Sequence, residues 1–181
     1  MSGPTPAAPA GPATRHAASP WARWAARALV LLGLAGGVVW FFRGAAQPAS
    51  APSPHALRPD DPQLVARGAA VYAQQCAACH GAHGEGQPDW RERGPTGLLP
   101  APPHDASGHT WHHPDEQLFD ITKRGLAAVI GQPDYQTAMP AYAGVLSDTD
   151  IVAVLSYIKA QWPAEVRAQH DQINAQARAA R

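Results

Sequence analysis

Thiols are scarce in this chain. Cysteine occurs twice in 181 residues, at Cys76 and Cys79. A structural zinc site needs four ligands in paired spacing, and no second C-x-x-C exists to complete one. A dithiol redox motif opens a helix in a βαβ setting, and no alternating strand pattern surrounds this pair. Methionine is equally rare: Met1 initiates the chain, so Met139 is the sole internal one. The glycine-rich run Gly81-Ala82-His83-Gly84-Glu85-Gly86 lacks the Lys-Ser/Thr ending and the preceding strand of a phosphate loop. No basic patch with interleaved aromatics is present, which argues against nucleic acid as a partner. Acidic residues are missing from residues 1–43, which carry Arg15, Arg23, Arg27 and Arg43. Residues 62–162 carry six basic and ten acidic side chains, so a formal net charge of zero hides an asymmetry.

What the chain does have is the stretch Cys76-Ala77-Ala78-Cys79-His80. This C-x-x-C-H is the covalent attachment signature of a c-type haem. Two thiols at this spacing can reach the two vinyl groups on one porphyrin edge, and the following imidazole can ligate the iron. A structural disulfide is the competing reading, since the chain is expected to face an oxidising compartment.

Proline and apolar residues divide the remainder. Nine of nineteen prolines lie in the first 59 residues, so that third is not expected to be packed core. Residues 1–20 are a Pro/Ala/Gly tract with too little apolar volume to offset ordering entropy, and are expected to be disordered on the cytoplasmic side. Residues 21–43 read as a single transmembrane anchor. Trp24–Phe42 holds one charge, Arg27, in nineteen residues, near the roughly 20 apolar residues a span requires. Trp21, Trp24, Trp40 and Phe42 sit at its ends, where amphipathic rings prefer the headgroup level. A cleavable signal peptide ending at Gly44-Ala45-Ala46 is the alternative, but the leading segment is long for one. Arginines before the run outnumber those after it, which favours a cytoplasmic N-terminus. Residues 44–61 read as an Ala/Pro/Ser linker able to hold a domain up to roughly 55 Å from the membrane, with His55 an incidental solvated residue.

The globular domain is expected over 62–162. Pro62 suits a first helical turn with Asp61 as N-cap. Residues 87–113 are irregular and rich in Gly, Pro, His and Trp, a long loop that a ligand would order. Within it, His109, His112 and His113 admit a copper or zinc reading. The plainer reading packs Trp111 over the haem edge, with the histidines bonded to propionates or water. His83 and His104 read as surface residues. Residues 114–125 form a short helix opened by proline and acids and closed by basic residues and glycine. Met139, before Pro140, is a soft thioether suited to the second axial position of a haem iron. Tyr142 is expected as a further haem contact. Ser147 caps the last core helix, with Asp150 placed to reach back, and Ile151, Val154, Leu155 and Ile158 form its apolar stripe. Residues 163–181 read as a polar helical tail, solvated or held by a partner.

The order Gly68-x-x-x-Tyr72, Cys76-x-x-Cys79-His80-Gly81, Met139-Pro140 and Leu146-Ser147-Asp148, leading to Tyr157-Ile158, resembles a class I monohaem cytochrome c of bacterial membrane-anchored type. The resemblance covers about 100 of 181 residues. It implies an all-α fold of about three to five helices around one covalently attached haem c. It also implies terminal helices crossing near Gly68, Cys76 and Cys79 holding the haem, His80 proximal and Met139 distal. A proline carbonyl should fix the proximal imidazole; Pro100, Pro102 and Pro103 are candidates, with Pro102 preferred.

The expected function is therefore single-electron transfer between redox partner proteins of a respiratory chain, with no enzymatic activity. The expected location is the bacterial inner membrane, haem domain in the periplasm. Two alternatives are a haem subunit docked in a larger oxidase or dehydrogenase through 163–181, and a haem gas sensor or peroxidase-like enzyme with Met139 off the iron.

Overall fold

The structure is a computed structural model that describes residues 53–181. The expectations for residues 1–20, for the 21–43 anchor and for the linker up to residue 52 lie outside the described residues. The described residues all belong to one compact unit. The described residues form helices and no strand, and no helix among them is long and apolar enough to cross a membrane.

Two helices cross to make the core. Helix α1 (Pro62–Gln75) starts where Asp61 accepts from the Gln63 and Leu64 amides at 3.2 and 3.0 Å, with Pro62 in the first turn. It buries Leu64, Gly68 and Tyr72. A short helix α2 (Ala77–His80) follows directly. Helices α3 (Asp115–Arg124) and α4 (Leu126–Val129) come next, then α5 (Asp148–Ala160) and α6 (Ala164–Ala179). Helix α5 is buried on nearly all sides, from Ile151 through Lys159. Even Lys159 is 4% exposed, its stem covered while its Nζ reaches Asp171 at the surface. Helix α1 meets α5 at Gly68, where an added Cβ would lie 2.6 Å from the Ala153 carbonyl carbon and 2.8 Å from Tyr157 Cβ.

A reciprocal capping box starts α5. Ser147 Oγ accepts from the Asp150 amide at 3.1 Å, and Asp150 Oδ2 accepts from the Ser147 amide at 3.2 Å. Asp150 also takes the Arg67 Nε–H at 2.8 Å, which ties α5 to α1. These bonds, Arg67 first, hold its carboxyl down at about 2 against an ordinary 3.8. A depressed carboxylate stabilises the fold above its unfolded pKa, and that contribution disappears as pH falls through the folded value. Urea unfolding should therefore show the wild type losing part of its stability between about pH 4 and about pH 2, with a smaller loss in Asp150→Asn. Ser147→Ala should cost about 1 kcal/mol at neutral pH.

The packed unit is longer at both ends than the 62–162 reading. Residues 53–61 were expected to finish a linker, yet Leu57 is 8% exposed and joins the core. Its amide donates to Asp115 Oδ2 at 2.9 Å, and the Arg58 amide donates to Ser156 Oγ at 2.9 Å. His55 is not incidental: its ring stacks on Phe119 at 3.6 Å and its Nδ1 donates to Glu116 Oε2 at 2.8 Å. The C-terminal segment is not a solvated tail either. In α6, His170 is fully buried against the edge of Trp162, and its Nε2–H donates to the His113 carbonyl at 3.0 Å. Asn174 is buried beside it, accepting from the Asp115 amide at 2.8 Å and donating to Asp115 Oδ1 at 2.9 Å. Each buried polar atom in this clasp has a partner, which is why a polar face can serve as an inner face.

Candidate functional site

The C-x-x-C-H stretch forms one turn. Cys76 ends α1, its amide donating to the Tyr72 carbonyl, and its own carbonyl accepts from the Cys79 and His80 amides at 3.1 and 2.9 Å. One rigid turn thus carries both thiols and the imidazole. Both cysteines are free, so the disulfide reading does not hold. Burial, with Cys79 adding to it, pushes the Cys76 thiol up to about 11.

His80 is 7% exposed. Its Nδ1 lies 2.8 Å from the carbonyl oxygen of Pro102. A carbonyl can only accept, so Nδ1 carries the hydrogen and Nε2 keeps a free lone pair. Burial also lowers the pKa of the ring, partly opposed by the Pro102 bond. A neutral imidazole with an oriented second nitrogen, one turn from two free thiols, is the donor set that suits a covalently attached haem.

The glycine-rich run places Pro102. Gly86 has φ +70°, and a Cβ there would lie 2.7 Å from the Pro102 carbonyl carbon and 2.8 Å from Pro103 Cδ. Only glycine lets the two backbones touch so closely. The Gly86 amide donates to the His80 carbonyl at 2.7 Å, and the Gln87 amide to the Ala101 carbonyl at 2.9 Å. The run therefore clamps 101–103 against the haem-motif turn. The Tyr72 hydroxyl donates to the Gly81 carbonyl at 2.9 Å and closes the near side.

Tyr142 reaches the same place from the other side. Its hydroxyl donates to the Gln75 carbonyl at 2.8 Å, and its pKa is raised by burial and then by Cys76 and Cys79. Its amide donates to the Thr122 carbonyl at 3.0 Å. The loop bearing Met139 is thus fastened three residues later to the end of α1. Met139 itself is half-buried, with its amide bonded to Thr137 Oγ1 at 3.1 Å. Trp111 packs against the core, stacks on His112 at 3.6 Å and donates its Nε1–H to the Ala106 carbonyl at 3.3 Å.

The histidines of the long loop do not form a metal centre. His109 stacks on Trp90, His112 on Trp111, and the His113 carbonyl is taken by His170. Among the described residues no three His, Cys, Asp or Glu side chains converge to hold an ion, which removes the copper reading.

One residue at the site was missed. His104, read from sequence as a surface residue, stacks on His80 with ring centroids 3.9 Å apart and planes 25° from parallel. Burial, followed by the nearby His80 and His109 rings, pushes its pKa down to about 3. Its place two residues past Pro102 is the only sequence signal that could have flagged it.

The family described as cytochrome C oxidase, cbb3-type, subunit III matches residues 63–158. That span runs from α1 through the haem-motif turn, Pro102 and the Met139 loop to near the end of α5. No curated protein and no solved structure matches the chain. A helical unit whose one C-x-x-C-H turn holds an oriented imidazole agrees with that match over more than half the sequence: the chain is a c-type cytochrome with one haem c, and it belongs to the cbb3-type cytochrome c oxidase subunit III family.

Proposed function

We propose that the chain is a membrane-anchored carrier of single electrons whose haem is attached through Cys76 and Cys79 and ligated by His80 and Met139. The observation that carries this reading is the buried His80 ring, its Nδ1 committed to Pro102 and its Nε2 left free. A bound haem supplies a one-electron couple. His80 and Met139 together would hold the iron, a donor pair that would suit outer-sphere transfer over oxygen activation. Pro102 orients the proximal ring, and Tyr142 fastens the Met139 loop beside the thiols. Residues 21–43 would tether the domain to the bacterial inner membrane on its periplasmic side, raising its local concentration beside membrane partners. The acidic 62–162 region would meet a basic patch on redox partner proteins.

The test is an absorption spectrum of the full chain, matured with haem, in both oxidation states and under carbon monoxide. A low-spin spectrum indifferent to carbon monoxide is expected. A prompt shift in the reduced form would replace this reading with a gas sensor or peroxidase-like enzyme.

The family description favours a second reading, a haem subunit fixed in a larger oxidase. It no longer rests on residues 163–181 as a free docking element, since the buried residues of α6 are spent on the chain's own domain. Gentle detergent extraction separates the two readings: co-migration with other haem proteins supports the subunit, and a lone chain supports the carrier.

A further inference from the structure

His80 is held at one polar point, the Pro102 carbonyl. A ring fixed by a single hydrogen bond can still swing about it. The His104 ring lies flat against it at 3.9 Å and blocks that swing. His104 is itself immobilised from three sides. Its amide donates to the Gly84 carbonyl at 2.7 Å, its Nδ1 meets Thr110 Oγ1 at 2.9 Å, and its carbonyl accepts the Trp162 Nε1–H at 2.7 Å. Thr110 is buried, as is Trp162. His104 also borders a small cleft with Tyr72, Gly84, Tyr157 and Gln161. Tyr72 meets the His104 ring edge-on at 6.3 Å, and the Thr110 bond is the one polar contact of the imidazole itself.

We propose that His104 is a positioning residue for the haem's proximal ligand: its imidazole, locked by Thr110, sets the plane of the His80 ring and through it the electronic state of the iron. This rests on His80 being the axial ligand. Three features separate His104 from ordinary core filling. The contact is face to face, the ring carries its own buried hydrogen-bond partner, and the His104 amide and carbonyl are bonded to Gly84 of the glycine-rich run and to Trp162, between α5 and α6. Apolar volume alone would need none of these.

The test uses the full chain loaded with haem, as wild type, His104→Leu, His104→Phe and Thr110→Val. The readouts are the order and spread of the haem methyl proton resonances in the oxidised form, which report the axial ring plane, and the reduction potential. His104→Leu should keep its haem yet reorder the methyl resonances and shift the potential. His104→Phe, which keeps a flat face, should restore most of the wild-type methyl pattern. Thr110→Val should move both readouts part of the way towards the leucine variant. A loaded His104→Leu with wild-type methyl pattern and potential would overturn the proposal. So would equal shifts in His104→Leu and His104→Phe with Thr110→Val silent, since that pattern belongs to volume or polarity. If His104→Leu fails to fold, Thr110→Val decides: a moved methyl pattern supports the proposal and an unmoved one overturns it. Failure of the underlying reading has its own signature, a wild type whose iron shows no histidine ligation, and it would take this proposal with it.

Discussion

Met139→Ala is expected to lower the reduction potential by on the order of 200 mV, inside the ~0.8 V range that axial ligands set. A thioether is a soft donor that favours ferrous over ferric iron, and alanine offers no donor at all. The scaffold should survive the change. Met139 is half-buried, and its loop is fastened by the Tyr142 hydroxyl on the Gln75 carbonyl and by the Tyr142 amide on the Thr122 carbonyl, with no help from the thioether. The same variant should bind carbon monoxide promptly when reduced. Potentiometric titration beside a carbon monoxide difference spectrum makes the measurement. An unchanged potential with no carbon monoxide shift would remove Met139 from the iron.

The second large effect belongs to Gly68. Valine there has no room, because the nearest obstacle is the Ala153 main chain and cannot rotate away. Helices α1 and α5 would have to separate along the core crossing. Overpacking usually costs 1–3 kcal/mol, and a rigid neighbour puts this site at the upper end, about 3 kcal/mol or more. Against a total of roughly 5–15 kcal/mol that is a large fraction, equivalent to about 10 °C in Tm for a domain of this size. Thermal unfolding followed by helical circular dichroism reads it directly. A Tm within about 2 °C of wild type would mean the helices do not touch at Gly68. Gly68→Ala should fall between the two, since even one methyl meets the same carbonyl.

Local chemistry was the part of the fold that the sequence made legible. Asp61, Pro62, Ser147 and Asp150 act within their own turn, so their spacing alone identified both helix starts. The haem-motif turn is equally local. Pro102 was harder, because its bond to His80 spans 22 positions, and it was picked out through resemblance rather than through any periodicity. Much of what stayed hidden in α6 shares one trait: polar residues buried against polar partners. His170 and Asn174 sit one helical turn apart in a stretch with few apolar side chains, and their partners His113 and Asp115 lie 57 and 59 positions away. Apolar periodicity detects faces that bury hydrocarbon, and it is blind to a face that buries hydrogen bonds. His55 and His104 escaped because each is a histidine stacked on a ring distant in sequence, Phe119 and His80. The outcome was a domain read as shorter than it is and a His80 ring read with one neighbour, Pro102, where it has two.

The clasp around Asp115 also makes the two edges of the packed unit depend on each other. One carboxylate holds Leu57 at the leading edge and Asn174 in α6. Residues far apart in the chain are therefore joined through a single side chain, like two straps on one buckle. Removing α6 would leave Asp115 short of a partner and slacken the hold on Leu57 as well, so damage at one edge of the unit is felt at the other.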